Sequence, residues 1–374
     1  MDRAIQLLKD LVRVDSVNPS LVLGAAGEDH IAKVLTTAMQ GFGLPVRTQI
    51  VAPGHPNVVA ELEGKAPGRS LMFCGHIDTV GVAGMSAPFS GEERDGRIYG
   101  RGSQDMKSGV AAMIDAARVI AESGGLAAGK LILACVVDEE HASIGADALV
   151  TKWRADGAVV TEPTDLQVAV AHKGFEWVEV ETEGRAAHGS RPREGRDAIR
   201  MMGRVLNGLD AIDRDLQSKP AHKMLGTASL HASLIEGGRE LSSYPDRCHL
   251  QMERRTIPGE APGAGAREVE AVLSRLRSED PDFKAAAKGM FARSPYEIAG
   301  DHALPGAMLR AIPSARAIGM SFWTDAAILG EAGIPSILFG PTGAGLHSID
   351  EWVNVQSVLT CRDALVALAR DWCR

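Results

Sequence analysis

Apolar positions recur at helical spacing at the start of the chain: Leu7, Leu8, Leu11 and Val12 within 3–14, then Ile31, Val34, Leu35 and Met39 within 27–42. Both segments read as amphipathic helices. Strands are expected over 46–51, 57–62 and 70–75. The last holds the run Leu71-Met72-Phe73-Cys74 and passes into Gly75-His76-Ile77-Asp78, a buried strand whose C-terminal end meets solvent. A turn-rich stretch covers 91–102, and Asp105 opens a long helix over 106–123. A continuous apolar strand at 131–137, a helix at 144–153 and a short strand at 157–161 follow. Strands alternating with helices predict a largely parallel or mixed sheet covered on both faces.

The pattern changes after Lys173. Residues 177–183 alternate apolar and polar side chains, as a strand exposed on one face should. A helix over 196–213, alternating strands at 226–235 and 248–252, and a helix over 266–276 complete a β-α-β-β-α order. That order suits a small ferredoxin-like α+β domain with helices on one face of its sheet. After about residue 288 the first pattern returns, with helices at 302–311 and 323–332, a strand at 336–339 and a terminal helix at 355–372. The expected architecture is α/β and two-domain: one domain from 1–172 and 288–374, with 173–287 inserted as the second.

At 374 residues, 45% hydrophobic and 24% charged, the chain can bury a large core and has an ordinary enzyme composition. A formal charge of −8 without Lys/Arg blocks argues against nucleic acid or an anionic membrane as the main partner. No signal peptide and no membrane-spanning run are expected. Five cysteines without close pairs predict reduced, mostly buried thiols in a cytoplasmic protein.

Candidate chemistry gathers where the α/β elements end. His76 and Asp78 project the same way along a strand, and a carboxylate beside an imidazole can fix its tautomer, as in metal sites. Asp105 begins a helix, where an Asp often serves only as an N-cap. Asp138-Glu139-Glu140 follows a buried strand, and three adjacent carboxylates call for positive charge nearby unless the loop is simply solvated. Glu162 ends a third strand, and His347 lies in a Gly-rich loop after a fourth. Each has an ordinary explanation alone. Together they place His, Asp, Glu, Glu and His at loops that an α/β sheet brings to one edge. That set suits two Zn²⁺ ions, with one shared carboxylate plus one His and one carboxylate each. Ions about 3.5–4 Å apart polarise a carbonyl and acidify a shared water. The other carboxylate of the Glu139/Glu140 pair is then free to act as general base.

The chain resembles the di-zinc amidohydrolase and exopeptidase family of acetylornithine deacetylase, succinyl-diaminopimelate desuccinylase, aminoacylase and carboxypeptidase G. The matching stretches, in family order, are Gly75-His76-Ile77-Asp78-Thr79-Val80, Gly100-Arg101-Gly102 through Asp105-Met106-Lys107, Asp138-Glu139-Glu140, Thr161-Glu162-Pro163-Thr164, Ala187-His188-Gly189-Ser190-Arg191-Pro192, Arg255-Thr256-Ile257-Pro258-Gly259-Glu260, Trp323-Thr324-Asp325-Ala326 and the loop at His347. The resemblance implies His76 and Glu162 as ligands of one zinc, Glu140 and His347 of the other, and Asp105 as the bridge. Co²⁺ or Mn²⁺ would be possible substitutes. It implies Asp78 as the residue that orients His76, Glu139 as the base, and a cis bond between Asp105 and Met106. It further implies that the inserted domain forms a homodimer and acts as a lid, that His188 reaches the partner's active site to stabilise the oxyanion, and that Arg255 contacts a substrate carboxylate. A surface ion pair is the ordinary alternative for Arg255. Relatives often carry Asn where Ser242 stands in Gly237–Pro245, so a close substrate analogy does not follow. Gly343 begins the loop expected to line the substrate.

The expected reaction is hydrolysis of a small N-acyl amino acid with a free carboxylate. The Trp323-Thr324-Asp325-Ala326 and Thr161-Glu162-Pro163-Thr164 segments look like the acetylornithine deacetylase branch. Gly343-Ala344-Gly345-Leu346-His347 looks more like the carboxypeptidase G branch, which keeps a dipeptidase or carboxypeptidase as the alternative. A non-catalytic binding protein on the same scaffold is disfavoured because base and ligand positions are all filled by competent residues.

Overall fold

The structure, a computed structural model, describes residues 2–374. It divides into two compact units. One holds the chain up to Val170, Ile298–Gly319 and Thr324–Arg374; the other holds Ala171–Glu297 and Met320–Trp323.

The first unit is built on a mixed sheet in the order Val46–Ala52, His55–Glu63, Lys130–Val136, Ser70–His76, Ala158–Val160, Ser336–Leu338, Val168–His172. Its four central strands run parallel, and the first two and the last run antiparallel to their neighbours. Parallel neighbours deliver their C-terminal ends to the same sheet edge. So the loops after Val136, His76, Val160 and Leu338 emerge side by side. The central strand Ser70–His76 is almost wholly buried, which is why it reads as an unbroken apolar run. The helix Lys107–Glu122 lies against it and packs on Arg3–Val12 and Val355–Trp372. Gly109 lets the helix approach the end of the neighbouring strand Ala158–Val160, because a Cβ there would stand 1.9 Å from the Thr161 carbonyl oxygen.

The stretch 91–102 contains a hairpin, Glu92–Arg94 with Arg97–Tyr99, rather than turns alone. It joins Trp352–Asn354 and Gly343–Ala344 in a second small sheet. This pairing sets the loop bearing His347 beside the segment that leads to Asp105. The helix expected at 323–332 is shorter, Ala326–Glu331: Thr324 Oγ1 accepts from the Ala326 amide ahead of it, and Trp323 belongs with the other unit, its indole donating to the Ser294 carbonyl.

The second unit follows a β-α-β-β-α-β order, with an antiparallel sheet ordered Ser229–Gly237, Arg247–Thr256, Gly174–Glu183, Ala285–Arg293. Alternation on Gly174–Glu183 turns Val178 and Val180 toward the helices Ala198–Ser218 and Ala264–Glu279, where Val205, Leu209, Val269 and Leu273 close the core. That is the ferredoxin-like arrangement. The expected boundary between 287 and 288 falls inside the strand Ala285–Arg293 and is corrected to about Glu297. Ala285-Ala286-Ala287-Lys288-Gly289 has no strand-like composition, and only its pairing with Gly174–Glu183 makes it a strand.

Candidate metal centre

His76, Asp78, Asp105, Glu139, Glu140, Glu162 and His347 form one cluster at the C-terminal edge of the parallel strands. Cys74 pairs with Val160, two residues before His76 and Glu162 respectively, and His76 pairs with Val136, just before the acidic loop. Strand register therefore brings the side chains together, and His76 Nε2 lies 3.8 Å from Glu162 Oε1 and 4.0 Å from Glu139 Oε2.

Asp105 is not the cap of its helix. The N-cap position is Met106, which makes no side-chain cap bond, and the Asp105–Met106 bond is cis. The Asp105 carboxylate instead spans two imidazoles, with Oδ1 3.1 Å from His76 Nε2 and Oδ2 3.4 Å from His347 Nε2. His347 also lies 3.1 Å from Glu140 Oε2. His76 Nδ1 donates to the Asp78 main-chain carbonyl at 3.1 Å, which turns Nε2 toward the cluster. The Asp78 carboxylate stands 3.6 Å from that nitrogen, too far for a good hydrogen bond. It accepts instead from the Glu139 and Glu140 amides and from Asn18 Nδ2. The Asp78 carbonyl orients the His76 ring, its charge favours the protonated imidazole, and its side chain also fixes the acidic loop.

The electrostatics are those of a site short of positive charge. Burial pushes the Glu139 and Glu162 carboxyls well above the usual range, against the pull of His76. Burial and the charge of Asp105 raise Glu140. Burial opposes ionisation of Asp105, yet its bonds to His347 and His76 hold it below the usual range. Those same bonds, with Glu140, raise His347 to about 10. Burial would lower His76, but Asp105 and Asp78 raise it well above its ordinary value. Carboxylates outnumber the two imidazoles in this cluster, and the buried Glu140 Oε1 has no hydrogen-bond partner. One donor atom from each of His76, Glu139 and Glu162, and from each of His76, Asp105 and Glu140, falls within 4.8 Å of the others. A mixed imidazole and carboxylate set of this kind fits two divalent cations.

His188, Ser242 and Arg255 lie in the second unit. His188 is exposed, its Nδ1 2.8 Å from Ser190 Oγ, and it pairs with Ser243. Gly189 donates to the carbonyl of Ser242, which is itself exposed. Arg255 bonds Glu253 through Nε at 2.6 Å and lies over the Phe175 ring. In the first unit, Gly343 lies against Gln104, and a Cβ there would meet the Trp352 carbonyl oxygen at 2.4 Å.

Two contributors carry no local signal. Asn18 donates to both Asp78 and Asp138 from 60 and 120 residues away. Asp325, within a quoted motif but without an assigned role, is buried and raises both Glu139 and Glu162. Another buried acid, Glu28, sits beside His55 Nδ1 at 3.1 Å. Burial, and then the charge of Asp78, raise it to about 8. A group raised on folding stabilises fully below its unfolded value, and that stability is lost as pH rises through its folded value. Glu28→Gln should therefore gain on the wild type between pH 5 and 8, by at most about 1.4 kcal/mol per pH unit, as read from urea midpoints. A gap independent of pH would show that Glu28 is ionised in the folded protein.

A sheet edge that gathers carboxylates around two imidazoles offers the donor set of a divalent-cation site. The model of peptidase family M20/M25/M40 matches residues 72–371, and the chain belongs to that family. It is 27% identical to N-formyl-4-amino-5-aminomethyl-2-methylpyrimidine deformylase of Bacillus subtilis, over 100% of this chain and 95% of that protein. It is 29% identical to an acetylornithine deacetylase of Myxococcus xanthus, over 85% of this chain and 84% of that protein. A tripeptidase from Staphylococcus aureus shares the fold, with a TM-score of 0.84, 21% identity and coverage of 100% and 98% of the two chains. A dinuclear metal-binding M20 peptidase from Bacillus subtilis superposes with a TM-score of 0.76 at 16% identity, covering 99% and 98%. Among the described residues, no helix is long and apolar enough to cross a membrane.

Proposed function

We propose that the chain is a cytoplasmic, homodimeric zinc amidohydrolase that cleaves the amide bond of a small N-acyl amino acid carrying a free carboxylate. The observation that carries this reading is Asp105, with one carboxylate oxygen on each of the two histidines. His76 and Glu162 would hold one cation, Glu140 and His347 the other, and Asp105 both; Co²⁺ or Mn²⁺ could replace zinc. When bound, the two ions polarise the amide carbonyl and acidify a water between them.

The chain's own residues do the rest. Glu139 takes the proton of the attacking water and passes it to the leaving amine. Its carboxyl is held well above the usual range by burial, and Glu140 is the member of the acidic pair that lies against His347. Asp78 fixes the loop that carries this base. His188 donates to the oxyanion in the partner's site. Arg255 pairs with the substrate carboxylate, and Ser242 and Gly343 are the further substrate-binding residues. The inserted unit supplies the dimer contact.

The deformylase and deacetylase relatives support acyl removal, and a dipeptidase or carboxypeptidase activity is the second reading. Initial rates on N-acetyl, N-succinyl and N-formyl amino acids beside simple dipeptides, each with and without chelator, separate the two. Chelator-sensitive turnover of an acyl amino acid supports the first. Turnover of dipeptides alone establishes the second, and metal-independent turnover would overturn both.

A further inference from the structure

Glu351 is 1% exposed and lies four residues beyond His347. Its carboxylate makes four charge-assisted bonds. Oε1 accepts from the Gln104 amide at 2.9 Å and the Asp105 amide at 3.0 Å. Oε2 accepts from the Gly102 amide at 3.0 Å and from Arg101 Nη1 at 2.6 Å. Arg101, itself buried, continues the network: Nη2 donates to the Ser348 carbonyl and Nε to the Gly81 carbonyl, each at 3.1 Å. The Gly100 amide donates to the Glu351 carbonyl at 3.2 Å. One ion pair thus joins the loop after His76 and Asp78, the loop that presents Asp105, and the loop that presents His347.

We infer that Glu351 is a positioning residue whose carboxylate, with Arg101, sets Asp105 and His347 at the spacing needed to share one of the two cations. The inference rests on the di-metal reading above. The physical argument is that Asp105 leaves its strand through an irregular segment, so no ladder fixes its backbone. Amides at 102, 104 and 105 all turn inward, and a single carboxylate satisfies them. The carboxylate is covalently tied to the His347 loop, so it also fixes that histidine relative to Asp105. Groups that orient metal ligands commonly alter metal affinity or activity by about 10–100-fold when changed.

Glu351→Gln keeps the shape but sets an amide NH₂ against an inward-facing backbone N–H. Glu351→Asp keeps the charge and shortens the reach, and serves should the first variant fail to fold. Each is purified beside the wild type, checked by circular dichroism, stripped and titrated with Zn²⁺ against a chromophoric chelator, and loaded with Co²⁺ for visible spectroscopy. The expected result is a native spectrum of the backbone, a loss of about 10–100-fold in affinity for at least one zinc, and an altered Co²⁺ band pattern. Turnover should fall in kcat with KM little changed and recover in part at high zinc. The aspartate variant should retain more than the glutamine variant. A folded variant that binds two zincs with wild-type affinity and an unchanged Co²⁺ spectrum overturns the positioning role alone. A wild type that fails to take up two ions overturns the di-metal reading and this inference with it.

Discussion

Glu139→Gln should lower kcat by about 10²–10⁴-fold while the protein keeps its full complement of metal. The substitution removes the only group assigned to carry a proton both from the water and to the leaving amine. It leaves Asp105, Glu140, Glu162 and both histidines in place. Glu139 is anchored through its main chain, its amide donating to Asp78 at 3.1 Å, so the loop is held whatever the side chain. The neutral amide also removes one of the buried carboxylates that repel each other here, so the folded protein should be no less stable than the wild type. Rates, elemental analysis and a thermal melt on one preparation read all three. Full activity in the variant would assign the base elsewhere, with Asp325 a buried acid whose charge also raises Glu162. Loss of one metal would make Glu139 a ligand, the role suggested by its grouping with His76 and Glu162.

Chelation should abolish turnover and lower the unfolding temperature. Burial resists ionisation of Glu139 and Glu162, and of Glu140 with added repulsion from Asp105, so the cluster favours any cation that offsets its charge. An ion present at a thousand times its dissociation constant stabilises the fold by about 4 kcal/mol. At roughly 2–4 °C per kcal/mol, one such site is worth about 10 °C. Zinc added back should restore both properties, with the melt rising as the logarithm of free zinc. Stripped protein that melts with the loaded protein would mean that the acidic cluster folds without need of a cation.

Much of this was legible in the sequence because strand ends announce themselves. The apolar run Leu71–Cys74 followed by Gly75-His76 places an imidazole at a sheet edge, and Val136 and Val160 do the same for Glu139, Glu140 and Glu162. Parallel pairing then converts four separate strand ends into one site. What was not legible depends on contacts between distant segments. Asn18 reaches Asp78 and Asp138, and Glu351 reaches three amides nearly 250 residues earlier, and neither has a local pattern to mark it. The strand Ala285–Arg293 was missed for a related reason, because alanine-rich sequence becomes a strand only when a neighbour offers an open edge. Asp78 shows a finer difference. Its place two residues after His76 marks it as an orienting group, while its further hold on the acidic loop, through the Glu139 and Glu140 amides, has no local pattern to announce it.

The central claim is that Asp105 stands between two metal positions. The most direct test is an anomalous difference map at the zinc edge from crystals of the zinc-loaded protein. Two peaks should flank the Asp105 carboxylate, one against His76 and Glu162 and the other against His347 and Glu140. A single peak, or peaks away from Asp105, would contradict it.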